Sequence, residues 1–263
     1  MKRIFALVLA LLMLVTLASC GKKEGEDEKT ALTGAQSADR YVFKTENEFD
    51  DKYTFEYIGE DEVAITAFTG SEVLHAITIP DTIENRAVTV IAESAFNGAS
   101  NISSVTLPAT VKVIEDTAFA GCECLVSINF PEGMTTIGAA AFANCTYLAT
   151  AELPATVTEI GMGAFSACKS ITTLTIVGVA EIPANMCYDC KSLTTVTWGE
   201  VGTKVGNSAF LGCSELVSIN FPATVTEVGN YAFSDCVKLA TLDTLPATAV
   251  IGENALYNTP ITK

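Results

Sequence analysis

One spacing dominates this sequence: an Ala-Phe pair returns at intervals of 23 residues. The phenylalanines are Phe96, Phe119, Phe142, Phe165, Phe210 and Phe233. The one longer interval contains a shorter coil in which Met186-Cys187 replaces the pair, and Ala255-Leu256 continues the series. A repeat of this length predicts a solenoid, because one unit cannot bury its apolar face alone and must stack on its neighbours.

Several other residue types keep the same period. Prolines follow an apolar residue at Pro108, Pro131, Pro154, Pro222 and Pro246. A coil reads approximately Leu-x-x-Ile-x-Leu-Pro-x-x-Val-x-x-Ile-Gly-x-x-Ala-Phe-x-x-Cys. In its first part, apolar and polar residues alternate as in a half-buried strand, and proline ends that strand. A second extended segment follows, and the Ala-Phe stretch is expected to turn the chain back as a short helix or 3₁₀ turn. We therefore predict a β-rich solenoid of about eight coils.

This consensus resembles the leucine-rich repeats of the BspA-like family of bacterial surface lipoproteins. The resemblance covers residues 77–263 and implies a cell-surface protein that binds other proteins or glycans. The departures from the pattern are local. Ala99 and Thr259 stand where cysteine is expected in the end coils, Trp198-Gly199 replaces the apolar-Pro step in one coil, and the coil containing Ile182-Pro183 is one residue short.

Residues 41–76 precede the regular coils and are expected to form an N-terminal β cap. Tyr53–Ile58 and Val63–Phe68 alternate apolar and polar residues around a turn-like Gly59-Glu60-Asp61. This pattern predicts a β-hairpin that covers the first coil, since an open end would expose the core and a strand edge. At the other end, Pro260 and the short tail are expected to close the stack.

The N-terminus carries an export signal. Lys2 and Arg3 precede an apolar run that is too short for a membrane span, as in a secretory signal peptide. Leu17-Ala18-Ser19-Cys20 resembles the lipobox of bacterial lipoproteins, which implies that residues 1–19 are removed and Cys20 is lipidated. Residues 20–40 are then a flexible acidic tether. The expected location is the bacterial outer membrane or cell surface, with the lipid as the only membrane contact.

Composition and motifs argue against other classes of function. Acidic residues outnumber basic ones by 31 to 15, which disfavours nucleic-acid binding. His75 is the only histidine, so no histidine cluster can hold a metal, and no nucleophile elbow or phosphate loop is present. We predict a monomeric protein that is not an enzyme and uses no cofactor or metal.

Cysteine forms a column of its own, three residues after the phenylalanine position. Its members are Cys122, Cys145, Cys168, Cys190, Cys213 and Cys236. This regularity favours free, buried thiols that pack the core, although disulfides between stacked coils are conceivable in an exported protein. Redox or zinc chemistry at Cys187-Tyr188-Asp189-Cys190 is an alternative that would need accessible thiols or further ligands.

The candidate binding face consists of two polar columns on the first strand of each coil. The first column is Ser104, Ser127, Thr150, Thr173, Thr195, Ser218 and Thr241, and the second is Thr106, Asn129, Glu152, Thr175, Thr197, Asn220 and Asp243. Such a face could bind an extracellular protein or glycan in adhesion or host interaction. Hydroxyl and β-branched residues also suit exposed stacked strands in themselves. The alternative function is therefore a structural envelope lipoprotein without a specific external ligand.

Overall fold

The computed structural model describes residues 53–70 and 75–261. These residues form a solenoid of short β-strands with about 23 residues per coil, as the repeat predicts. The predicted signal peptide, Cys20 and the tether lie outside the described residues, and so do residues 41–52 and 71–74 of the predicted cap.

A β-hairpin lies at the N-terminal end of the solenoid. Strand β1 (Tyr53–Tyr57) pairs antiparallel with β2 (Glu62–Phe68), which then pairs in parallel with β5 (Arg86–Ile91) of the first full coil. The Phe68 ring stacks on Phe96 at a centroid distance of 5.5 Å. The predicted hairpin is therefore present, and it extends both the sheet and the aromatic column of the coils.

Each coil contributes strands to two faces. The front strands are β3 (His75–Thr78), β6 (Ile102–Thr106), β8 (Ser127–Ile128), β10 (Ala151–Glu152), β12 (Thr173–Ile176), β14 (Thr195–Trp198) and β16 (Ser218–Asn220). The back strands are β5, β7 (Val113–Ile114), β9 (Thr136–Ile137), β11 (Glu159–Ile160), β13 (Glu181–Ile182), β15 (Lys204–Val205), β17 (Glu227–Val228) and β18 (Val250–Ile251), with β4 (Thr82–Ile83) antiparallel to β5. Successive strands on each face pair in parallel, because every coil turns in the same direction, except between β8 and β10 on the front and between β11 and β13 on the back.

The back sheet is interrupted between β11 and β13, and the sequence of that coil explains the break. In most coils a glycine follows the back strand and its N–H donates to the preceding coil, as Gly161 does to Ile137 O at 2.7 Å. Pro183 occupies this position after β13 and has no N–H to donate. The sheet therefore ends at β11 and restarts at β13.

The Ala-Phe stretch is a series of hydrogen-bonded turns in place of the helix or 3₁₀ turn expected. In the coil of Phe119, Ala120 N donates to Thr117 O and Cys122 N to Phe119 O, while Thr117 (φ 54°) and Gly121 (φ 71°) adopt the left-handed conformation. Two left-handed residues four positions apart prevent a continuous right-handed helix. The turns form a third ladder between coils, with Phe96 N donating to Ala118 O at 2.7 Å.

The core consists of the same columns that define the repeat. The Phe119 and Phe142 rings stack at 5.3 Å and 3° between planes, and Phe142 stacks on Phe165 at the same distance. The phenylalanine and cysteine columns are almost completely buried. The same is true of a third column three residues after the cysteines, made of Leu125, Leu148, Ile171, Leu193, Leu216 and Leu239. Regular stacking of identical residues explains how a narrow solenoid buries so much apolar surface.

The last coil differs from the others in its exposure. Ile251 is 40% exposed and Val250 is 66% exposed, whereas the matching Ile114 is fully buried. Pro260 is itself exposed. The expectation that Pro260 and the following residues close the stack is therefore not met for the back strand within the described part of the chain.

Candidate binding face

The fourteen polar residues of the two columns lie where the repeat predicts, on the outer side of the front strands. All of them are exposed or half-exposed, while the residues between them point into the core. Their register is continuous through the central coils, where Thr173 pairs with Thr195 and Thr195 with Ser218. Asn129 and Thr150 lie immediately outside strands β8 and β10, and Thr241 and Asp243 lie in the next coil, where residues 240–244 form no strand. The structure thus brings the predicted residues together, and their role in binding remains a prediction.

Two members of the second column have a structural function that the sequence reasoning missed. Asn220 Oδ1 accepts a hydrogen bond from Trp198 N at 2.8 Å, and its Nδ2 donates to Trp198 O at 2.7 Å. Asn129 makes the same pair of bonds to Leu107. Both asparagines stand in an Ile-Asn-Phe-Pro sequence, and this shared motif could have indicated their common role. Their side-chain amides bond to the backbone of the preceding coil in place of backbone-to-backbone hydrogen bonds. They are therefore less free to bind a ligand than the hydroxyl groups of the columns.

The face carries two charges, and both are negative. Glu152 and Asp243 are exposed carboxylates, and the columns contain no lysine or arginine. The ion pairs seen among the described residues lie elsewhere, for example Lys112 with Glu62 and Lys204 with Glu227, both at 2.9 Å. The face is therefore mainly neutral and hydroxyl-rich, with a negative potential at these two sites.

A shallow trough of about 420 Å³ crosses the face near its C-terminal end. The buried residues Val196 and Ile219 supply its floor between the two columns. Its walls are Thr195, Ser218 and Thr241 on one side and Thr197, Asn220, Asp243 and Thr244 on the other. The trough begins where the front sheet ends, since residues 240–244 form no strand beside β16.

The cysteine column contributes to packing and not to a solvent-accessible site. Its six thiols are free and buried, and each donates to a backbone carbonyl of the preceding coil at 3.0–3.2 Å. Burial raises the pKa of Cys168 and Cys213 well above the ordinary thiol value, and that of Cys236 to about 12. A neutral, inaccessible thiol is a poor nucleophile and a poor metal ligand. These properties oppose the redox alternative.

Cys187, the other half of the Cys-x-x-Cys, is also free and fully buried in the phenylalanine column. In the part of the chain that the structure describes, no group of three or more histidine, cysteine or carboxylate side chains could hold a metal ion. No helix among the described residues is long and apolar enough to cross a membrane.

The repeat pattern and the two-faced coil agree with a known family. A profile of the BspA type leucine-rich-repeat region matches six copies, over residues 61–181, 89–217 and 180–263. The chain belongs to the BspA-type leucine-rich-repeat family. The resemblance seen in the sequence is thereby confirmed, and so is the solenoid fold.

Solved structures of bacterial leucine-rich-repeat proteins share this fold. A protein of Bacteroides ovatus is 27% identical, with a TM-score of 0.74 over 81% of this chain and 57% of its own. A leucine-rich cell surface protein of Faecalibacterium prausnitzii is 32% identical, with a TM-score of 0.68 over 78% of this chain and 54% of its own. A leucine-rich-repeat protein of T. pallidum is 28% identical, with a TM-score of 0.59 over 76% of this chain and 83% of its own. The chain thus spans little more than half the length of the first two, and no curated protein is significantly similar to it.

Proposed function

We propose that this BspA-type repeat protein is a non-enzymatic, lipid-anchored cell-surface protein that binds an extracellular protein or glycan through its front face. Adhesion or host interaction is the role this implies. The observation that carries the proposal is the exposed, in-register pair of polar columns, which offers hydroxyl groups at about 4.8 Å intervals along the solenoid.

The location rests on the lipobox at Cys20 and on the family. The F. prausnitzii neighbour is described as a cell surface protein. Two or more acyl chains at Cys20 would anchor the chain stably, since each buried methylene contributes about 0.8 kcal/mol of membrane affinity. The acidic tether would then hold the solenoid away from anionic headgroups.

Binding is tested by presenting the purified full-length chain in detergent to immobilised matrix proteins and to a glycan array. Thr173→Arg places a long charged side chain in the middle of the face without entering the core, because Thr173 is exposed. Thr158→Arg is the matched control, since Thr158 is an exposed threonine of the back face. We expect Thr173→Arg to weaken capture at least ten-fold and Thr158→Arg to leave it unchanged. Equal behaviour of both variants would exclude the front face as the binding site.

Surface location is tested by treating intact cells with protease and probing for the solenoid, with a periplasmic protein as the control. Loss of the solenoid together with survival of the control is the expected result. A Cys20→Ser variant should lose incorporation of labelled fatty acid and leave the membrane fraction. A solenoid that survives until the envelope is broken would instead favour the structural envelope lipoprotein, which has no external ligand.

A further inference from the structure

We propose that the trough at the C-terminal end of the front face binds a basic, extended polypeptide segment, with Asp243 receiving a lysine or arginine side chain. This inference rests on the proposed function of the face, and it names the chemistry of the partner. The trough differs from the rest of the face in its shape, and it contains Asp243, one of the two carboxylates of the face.

The Asp243 carboxylate is available to a ligand. Asp243 lines the trough, and no ion pair or hydrogen bond of the described residues engages its side chain. No lysine or arginine lines the trough. Lys238, the nearest cation in sequence, is paired with Glu215 at 2.5 Å. A ligand cation would therefore meet a carboxylate without displacing an existing partner.

A second feature of the trough is a surplus of hydrogen-bond acceptors. On the front face each coil donates to the one before, as Val217 N does to Thr194 O at 2.9 Å. No backbone N–H of the next described coil reaches Val217 O. Phe221 N is already bonded to Thr244 Oγ1 at 2.7 Å, and the Asn220 amide is engaged with Trp198. Among the described groups in and beside the trough, the Val217 carbonyl and the Asp243 carboxylate can only accept hydrogen bonds, whereas the serine and threonine hydroxyl groups can both donate and accept. A ligand rich in donors would suit these two acceptors.

The lining of the trough favours a polypeptide over a sugar chain. Residues 240–244 lie beside β16, with Thr244 Oγ1 bonded to Phe221 N, so an extended peptide would lie across the trough over Val196 and Ile219 and would not pair with an open strand edge. None of the residues lining the trough is aromatic, so no ring is available to pack against a sugar. The formal charge of −16 would also attract a basic partner at low salt.

The test measures binding of tetralysine to the purified full-length chain in detergent, beside tetraglutamate, a neutral Gly-Ser tetrapeptide and a glucosamine tetramer. Asp243→Asn removes the charge with almost no change of shape. Glu152→Gln is the matched control, because Glu152 is an exposed carboxylate of the same column outside the trough. Ser218→Trp fills the trough from the exposed side. Continued protection of the column thiols from labelling shows that each variant is folded.

We expect tetralysine to bind best, and its affinity to fall about five-fold with Asp243→Asn, the effect of losing one exposed ion pair. Ser218→Trp should abolish binding, Glu152→Gln should change it less than two-fold, and added salt should weaken it. Equal losses with both carboxylate variants, preference for the neutral peptide or the glucosamine tetramer, or no binding of tetralysine would each overturn the inference. If Thr173→Arg still blocks capture of a matrix protein or glycan while Asp243→Asn has no effect on tetralysine, the inference fails and the proposed function of the face stands.

Discussion

Gly161→Ala should destabilise the solenoid, because two coils approach each other closely at this glycine. A β-carbon built there would lie 2.5 Å from Ala139 Cα and from Gly138 C of the preceding coil, and still closer to Ala139 N. Backbone atoms cannot move aside as a flexible side chain can, so the two coils must separate. Separation strains the bond from Gly161 N to Ile137 O, which is 2.7 Å long.

The expected loss of unfolding free energy is about 2 kcal/mol. Overpacking costs about 1–3 kcal/mol, and a weakened hydrogen bond costs up to about 1 kcal/mol. The lower entropy of the unfolded alanine chain offsets about 0.4–1 kcal/mol. Gly133→Ala is the matched control, because its β-carbon would meet only Ala109 O at an ordinary 3.6 Å.

Urea unfolding of the purified protein, followed by circular dichroism, provides the measurement. Gly161→Ala should lower the unfolding midpoint clearly, with an unchanged dependence on urea concentration, and Gly133→Ala should raise the midpoint slightly or leave it unchanged, because only the entropic gain applies there. If both variants unfold at the wild-type midpoint, the coil spacing is not set by this glycine and the reasoning is refuted.

Further predictions concern the ladder, the turns and the thiols. Asn220→Ala should lower the unfolding free energy by about 1–3 kcal/mol, because Trp198 N and O lose their partners; Thr197→Ala, a neighbour on the same face, should cost less than half as much in the same urea assay. Ala167→Gly should raise the thermal midpoint and increase the unfolding free energy by about 0.5–1 kcal/mol, because Ala167 has a left-handed φ of 58°. A lower midpoint would show that the contacts of the Ala167 methyl group outweigh the backbone strain. A thiol reagent should modify none of the column cysteines until urea unfolds the protein, and rapid modification of the folded chain, read by mass spectrometry, would contradict their burial. Since burial raises the folded pKa of Cys168, Cys213 and Cys236, their contribution to stability is complete below the unfolded thiol pKa and is lost as the pH rises above about 9; a urea midpoint that stays constant from pH 8 to 10.5 would disagree with this.

The repeat in the sequence was sufficient to predict the architecture and the position of the candidate face. The 23-residue period determines which residues stack, and the alternation around each first strand determines which side chains face solvent. The hairpin at Tyr53–Phe68 could be predicted for the same reason, since its alternation and turn are local. The conformation of the turn at Phe119 was harder to predict. Left-handed residues such as Thr117 and Ala140 are held in that conformation by hydrogen bonds between coils and not by an intrinsic backbone preference.

The amino-acid sequence by itself determined the coil number, the buried columns and the neutral, hydroxyl-rich character of the front face. Only the tertiary structure decided which of those polar groups are free. The Asn220 amide is bonded to the preceding coil, the Asp243 carboxylate has no partner among the described residues, and no described strand follows β16 on the front face, where the trough lies. The physical reason is that a repeat pattern records the average coil, whereas hydrogen-bond partners depend on the distance between two particular neighbouring coils.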